Sequence, residues 1–474
     1  MPSPWPAKIT GSTARAAFAD AERRPHWIDT LPRRDPHLPL EQALEADLCI
    51  VGGGFTGLWA ALYAKQLDPQ REVVVLEQLR CGAGASSRNG GFMNYSLTHG
   101  IENGASRFPD ELGVLERLGM ENYDGLCADL ARYGIDAELE LTGEIDVAVS
   151  DDQVPHLRER ARLFEEFGQR AELLGREALQ AEIRSPLYRG GLWQQTGAAI
   201  LNPAKLADGL RRAALATGVR IFEHTRVHQL RRSSAGVDVL AGAGSVAAAR
   251  VLLATSAYAP LVPAIGRYVA PVYDYALMTE PLSGAQLEAI GWARRQGIGD
   301  AGNQFHYYRL SADDRILWGG YDAVYRYGGP VGPQHDDHEP TFTRLAANFF
   351  TNFPQLEGLR FTHRWGGAID TCSRFAVFFG RALGGRVVYA LGYTGLGVAA
   401  TRFGAHTGLD LLDGRRTEVT ALAFVRRRPV PFPPEPLRSA VIGLTRNRLA
   451  AADRCGQRGL WLRTLDRLGL GFDS

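Results

Sequence analysis

DLCIVGGGFTGLWAALYAKQLDPQREVVVLE, residues 47–77, reads as a short apolar strand, a glycine turn, a helix and a second apolar strand that ends on an acid. Gly52 permits the tight turn, Gly54 lets a pyrophosphate approach the backbone, and Gly57 lets helix and strand pack closely. Gly53, Phe55 and Thr56 complete the turn, and the helix behind them turns free N–H groups and a partial positive charge towards a phosphate. Glu77 closes the second strand, where a carboxylate meets ribose hydroxyls. Glycines alone would be weak evidence. Strand, turn, helix, strand and acid in that order specify a dinucleotide site.

This unit would serve either of two dinucleotides, and two further segments choose between them. RCGAGASSRNGGFM, residues 80–93, follows the second strand directly and is dense in glycine and serine, which suits backbone running past a flat ring and a phosphoribityl chain. GYTGLGV, residues 392–398, again follows a strand and precedes a helix, so its N–H groups can face the electron-rich edge of a reduced isoalloxazine. Together they favour FAD. The expected cofactor contacts are Gly52, Gly53, Gly54, Phe55, Thr56, Gly57, Glu77, Gln78, Arg80, Gly84, Ala85, Ser86, Ser87, Arg88, Asn89, Gly90, Gly91 and Met93. Val227, Thr255, Gly392, Tyr393, Gly395, Leu396, Gly397 and Val398 are added from the later segments.

With 474 residues, 45% of them hydrophobic, the chain is long enough for two or three domains. A formal net charge of +1 offers no field to draw nucleic acid or anionic membrane. Five cysteines lie singly and no histidines stand at metal-ligand spacing, so neither disulfides nor a metal are expected. The N-terminus lacks a signal-peptide pattern and no stretch offers eighteen continuous apolar residues, so a cytoplasmic protein is expected. A basic amphipathic tail from 424 is expected to pack on the body rather than contact membrane. The oligomeric state is not encoded legibly.

The texture along the chain divides it into an arm at 1–45, pinned by Trp5 and Trp27, FAD-binding segments at 46–95, 201–267 and 346–423, substrate-domain segments at 96–200 and 268–345, and the tail at 424–474. Residues 141–149 read as a half-buried strand and 153–182 as long charged helices. The fold class expected is α/β: a Rossmann-like FAD-binding domain with an inserted antiparallel-sheet substrate domain, of the glutathione-reductase-like second type.

IVGGGFTGLWAALYAK, GASSRNGGF, GAAILNPAKLADGL, YYRLSADDRILWGG, HRWGGAIDTCSRF and GYTGLGV resemble segments of the D-amino-acid oxidase and sarcosine oxidase superfamily, and are most similar to its gamma-glutamylputrescine oxidase-like branch. The resemblance runs from about Asp47 to the tail. It implies oxidation of a C–N bond of an amine or amino acid, with hydride passed to flavin N5 and electrons then to O2 or another acceptor. Some relatives attach FAD through a histidine, matched here by Arg88, or a cysteine, matched by Trp365 or Gly366, so noncovalent FAD is expected. The lysine that sarcosine oxidases use towards oxygen is matched by Trp318, and lysines occur only at 8, 65 and 205.

Amine oxidation requires a neutral nitrogen, which a dry aromatic pocket favours. Tyr273, Tyr275, His306, Tyr308, Trp318, Trp365 and Tyr393 come from segments expected to face the cofactor. His306 and His363 are the candidate proton acceptors. Arg88 and Arg309 are candidates for a substrate carboxylate, although bracing the flavin loop or pairing with an acid is the preferred reading of both. The catalytic set expected is therefore His306, Tyr308, Trp318, Tyr275, His363 and Trp365. Two other functions fit the same segments: a biosynthetic flavoenzyme that desaturates or cyclises a larger nitrogen-containing metabolite, and a binding or assembly protein whose flavin is structural.

Overall fold

The computed structural model describes residue 5 and residues 9–470. The remainder of the expected arm, Lys8 included, and the last residues of the tail lie outside the described residues.

The strand Ala43–Val51 lies at the centre of an eight-stranded sheet, between Gly244–Leu253 and Val73–Leu76. Val387–Leu391 and Arg220–Phe222 extend it on either side, and these five strands are parallel. Their apolar runs are continuous because helices cover both faces, as VVVL at Val73–Leu76, buried throughout, shows. Phe378–Ala382 adds an antiparallel edge, and Val227–Arg232 with Val237–Ala241 forms an antiparallel flap on Gly244–Leu253. The helix Phe55–Leu67 packs against Pro203–Ala216 and Ala400–Asp413 over this sheet.

A nine-stranded sheet forms the second layer, in the order Val324–Tyr325, Ala270–Thr279, Ile316–Gly320, His306–Leu310, Gly297–Asp300, Glu144–Ala148, Gly190–Gln194, Ala171–Gly175, with Phe361–Thr371 paired along Ala270–Thr279. Its pairs are antiparallel except Gly297–Asp300 with Glu144–Ala148. Three boundaries differ from expectation. Phe361–Thr371, expected within the FAD-binding segment 346–423, pairs in this sheet. The strand Ala171–Gly175 interrupts the helices expected over 153–182, because it adds an edge to Gly190–Gln194. The long helix Leu112–Arg132 packs into the core of the nucleotide domain through Tyr123, Leu126 and Leu130.

The register assigns the two faces of the second sheet. Residues paired directly across strands point the same way. Trp365, Ala276, Gly319, Tyr307, Gly299 and Asp146 form one such row on the face turned to the nucleotide domain. One residue along, Leu277, Trp318, Tyr308, Ile298 and Ile145 form a row on the opposite face. That outer row shares a core with Phe342, Leu345 and Phe349 of the helix Glu339–Asn352.

Candidate active site

The glycine turn is shaped as its sequence demands. Gly52 has φ +111°, and a Cβ there would stand 2.3 Å from the carbonyl oxygen of Ala254, next to Thr255. A Cβ on Gly57 would stand 1.9 Å from the oxygen of Gly52. Glu77 accepts from the Gly53 amide at 2.7 Å and from the Leu79 amide at 2.8 Å, beside the turn. Burial is the main influence raising its pKa. Val227 is buried in the core behind these strands, and Arg80 donates to the carbonyl of Arg34.

The helix beginning at Phe55 has no side-chain cap at Gly54. Only the Phe55 amide meets a side chain, Ser86 Oγ at 2.9 Å, and helix geometry leaves its neighbours without intrahelical acceptors. A Cβ on Gly54 would meet that Ser86 oxygen at 2.9 Å, so the cradle between turn and loop closes to any side chain there. These are the groups a pyrophosphate needs.

Three consecutive carbonyls of the 80–93 loop are held by side chains from three separate elements. Trp365 donates its indole N–H to the oxygen of Arg88 at 2.8 Å, Trp27 to Asn89 at 3.0 Å, and Arg309 Nε to Gly90 at 2.8 Å. Asn89 in turn accepts from the Gly91 amide. Met93 is buried, on a short strand paired with Ala198–Ile200. Arg309 also donates to Leu201 and Leu310 and lies 4.6 Å over the Trp27 ring, while burial lowers its pKa to about 10. Arg88 pairs with Asp336 at 2.8 Å and donates to Gly366 and Ala83. Both arginines are braces.

The GYTGLGV turn is also held from the second sheet. Gly392, Thr394 and Gly395 all have positive φ. Asp370 accepts from the Gly392 amide at 2.7 Å, with its pKa pushed up to about 6 by burial. Leu396 donates its amide to Tyr393, and Gly397 leads through Val398 into the helix Ala400–Asp413. The Tyr393 phenol receives a hydrogen bond from Thr56 Oγ1 at 2.9 Å, so that ring ties two cofactor segments together rather than lining a pocket.

Four of the residues expected to be catalytic point away from this loop. Tyr308 bonds to Tyr188 Oη at 2.6 Å, and Trp318 packs between His306, Tyr308 and Phe349. Tyr275 donates to the carbonyl of His335 and meets Phe342 edge-on, with Tyr273 beside it. His306 is fully buried, with Nδ1 3.0 Å from Asp300 and Nε2 3.0 Å from Asn348. Trp5 packs on its ring, so the arm does pin here. The reason is register: His306 and Tyr308 occupy alternate positions of a strand whose other face meets the cofactor loop. Trp318 likewise points away from the loop, and its neighbour Gly319 is the residue on the loop side. Tyr308→Phe is accordingly expected to cost about 1 kcal/mol of stability and to leave kcat within twofold, checked by denaturant unfolding beside steady-state rates.

The side chains facing the loop are others. A Cβ on Gly90 would stand 2.7 Å from the Tyr307 ring, which lies over Gly319. Tyr307 donates its hydroxyl to Asp274 Oδ2 at 2.6 Å, and the Tyr275 amide donates to Oδ1. Burial pushes the Asp274 carboxyl up to about 6. Asp274 pairs with Gly367, whose Cβ position lies 3.4 Å from Arg88. Farther along the same face, Glu144 accepts from Asn94 at 3.4 Å, and burial with Asp146 nearby pushes it up to about 7. Sequence reasoning missed Asp274, Tyr307, Asp370 and the role of Trp27. HYYRL, residues 306–310, carries aromatic or charged residues on both faces, so its alternation could not choose between them.

A dinucleotide turn at the carboxyl ends of a parallel sheet, with two loops held over it by an antiparallel sheet, defines an FAD-binding oxidoreductase. The chain belongs to the FAD dependent oxidoreductase (DAO) family, whose model matches residues 47–407. It is 32% identical over 401 residues to gamma-glutamylputrescine oxidoreductase of Escherichia coli, covering 84% of this chain and 90% of that protein. It is 29% identical to the probable oxidoreductase OrdL of Haemophilus influenzae, over 80% of this chain and 85% of that one. Glycine oxidase from Geobacillus kaustophilus has a similar fold, with TM-score 0.65 at 19% identity, covering 81% of this chain and 99% of that one. FAD is therefore the cofactor. Cys372 is buried, its thiol bonded to the carbonyls of Ala376 and Gly392, consistent with noncovalent flavin. Among the described residues, no helix is long and apolar enough to cross a membrane.

Proposed function

We propose that this enzyme oxidises the C–N bond of a cationic amine, with Asp274 as the group that receives the substrate nitrogen. Bound FAD supplies the two-electron acceptor for hydride from the carbon beside nitrogen, leaving an imine that water hydrolyses. The residues suited to hold it are the Gly52–Gly57 turn with Glu77, the 84–91 loop and the 392–398 turn.

One observation carries this reading. On the loop side of the sheet, Asp274 and Glu144 form no ion pair among the described residues, while Asp146 is paired with Arg160 and both Arg88 and Arg309 are engaged. Two acids outside ion pairs, with Arg88, Arg309 and Arg160 all engaged, suit an amine better than an amino acid. The likeness to gamma-glutamylputrescine oxidoreductase supports the same choice. Ionised Asp274 attracts the ammonium form and then takes its proton, while Tyr307 holds the second carboxylate oxygen in place. In water an alkylammonium and a carboxylic acid differ by about 6 pKa units; burial raises the acid and lowers the amine, so proton transfer becomes feasible. The reacting nitrogen is left with its lone pair.

The raised pKa gives the sign of the pH dependence. Protonated Asp274 can neither attract the cation nor accept its proton, so kcat/KM is expected to fall about tenfold per pH unit below about pH 6. For folding, the same raised pKa acts the other way: its contribution is complete below the ordinary carboxylate pKa and is lost as pH rises through about 6. The function itself is tested by anaerobic mixing with a library of amines and amino acids, followed by air. Bleaching by monoamines and diamines in preference to α-amino acids is expected. A flavin that no amine bleaches would overturn the proposal.

A further inference from the structure

The sequence shows no metal-ligand spacing, yet the fold brings His26, Asp29 and His363 together, with one ligand atom from each lying within 4.8 Å of the others. His26 and Asp29 lie on the single helical turn His26–Thr30 of the arm. His363 comes from the strand Phe361–Thr371, which the arm meets through the bridge between Glu22 and His363.

His26 is 5% exposed, and neither of its ring nitrogens has a hydrogen-bond partner. A buried imidazole with neither nitrogen hydrogen-bonded is costly and suits a ligand. The nearest acid to it is Asp313, 3.7 Å from Nε2 and beyond hydrogen-bonding reach. His363 has Nε2 2.8 Å from Asp29 Oδ2 and Nδ1 2.9 Å from Thr362 Oγ1. When Nδ1 donates to the threonine oxygen, the Nε2 lone pair faces a carboxylate, an arrangement that a cation completes. Arg24 holds the other oxygen of Asp29 at 3.0 Å, fixing the orientation of the acid.

We propose that His26, Asp29 and His363 bind one divalent transition ion of the zinc type. Two imidazoles and a carboxylate match that class, and metal–ligand bonds of about 2.0–2.2 Å need side-chain movements on the order of 1 Å from the observed positions. Asp313 or water takes the fourth position. Trp27, next to His26, and Trp365, two residues beyond His363, hold adjacent carbonyls of the 80–93 loop. The ion therefore fastens together two supports of the flavin loop. Its role is structural, and it stands apart from the reacting atoms.

The test uses untagged, flavin-loaded protein, stripped with a strong chelator and titrated with zinc chloride by calorimetry and thermal unfolding. One ion per chain, a Tm raised by a few degrees and lost again on chelation, and Kd weakened at least tenfold in both His26→Gln and His363→Gln support the proposal. Flavin absorbance shows whether each variant has folded, and the wild-type stoichiometry stands without them. Absence of stoichiometric binding to the wild type, or binding unchanged in folded variants, overturns it.

Discussion

Gly57→Ala is expected to purify without its yellow colour. The added Cβ would lie 1.9 Å from the carbonyl oxygen of Gly52 and 3.2 Å from Ile50 Cγ2. Both neighbours are fixed, one as backbone and the other in a buried strand, so no flexible side chain can relieve the contact. Overpacking of this kind costs about 1–3 kcal/mol, and a backbone clash belongs at the upper end. Relief requires the helix Phe55–Leu67 to move off the strand Ala43–Val51, which carries its N-terminal amides away from the pyrophosphate. A displacement costing about 3 kcal/mol of binding weakens FAD affinity more than 100-fold. The check is the flavin-to-protein absorbance ratio, with circular dichroism to show that the rest of the fold persists. A folded variant with one FAD per chain would show that the turn does not set cofactor affinity.

The second large effect concerns the substrate. Asp274→Asn preserves shape and can still accept the Tyr307 hydroxyl hydrogen, but it removes the charge and the proton acceptor. Loss of a positioned acid–base group costs about 100- to 10,000-fold in rate. The fall is expected in kcat/KM for amines, with FAD content unchanged and the inflexion near pH 6 gone. Tyr307→Phe leaves the charge and removes one hydrogen bond, so a loss of about tenfold is expected. If Asp274→Asn kept kcat/KM within threefold of wild type, Asp274 would not be the receiving group. The contrast with Tyr308→Phe, one residue away and on the helix-covered face, separates a general weakening of the strand from an effect at the site.

These expectations depend on two kinds of information in the chain. The glycine turn was legible because its requirements are contiguous: strand, φ-permissive glycine, helix N-terminus and acid fall within residues 47–77. The 80–93 and 392–398 loops were legible for the same reason, each following a strand with glycines at the places where backbone must bend. The preferred reading of Arg88 and Arg309 as braces matches their bonding, although the carbonyls they hold could not be named from sequence. The catalytic set fared differently. His306, Tyr308, Trp318 and Tyr275 come from strands that pass the loop, but lie on the helix-covered side of them.

The sequence by itself determined the cofactor, because the dinucleotide turn and the two glycine-rich loops that favour FAD are each a local affair of backbone conformation and helix polarity. Tertiary structure decided which side chains of the second sheet face the nucleotide domain. In a strand the side-chain period is two, and only pairing with neighbouring strands and the docking of the helix Glu339–Asn352 choose which half becomes core. The same holds for His363 and the pair His26 and Asp29, which lies more than three hundred residues earlier in the chain. Their proximity exists only because the arm lies along the strand Phe361–Thr371, and no spacing rule within one segment could have expressed it.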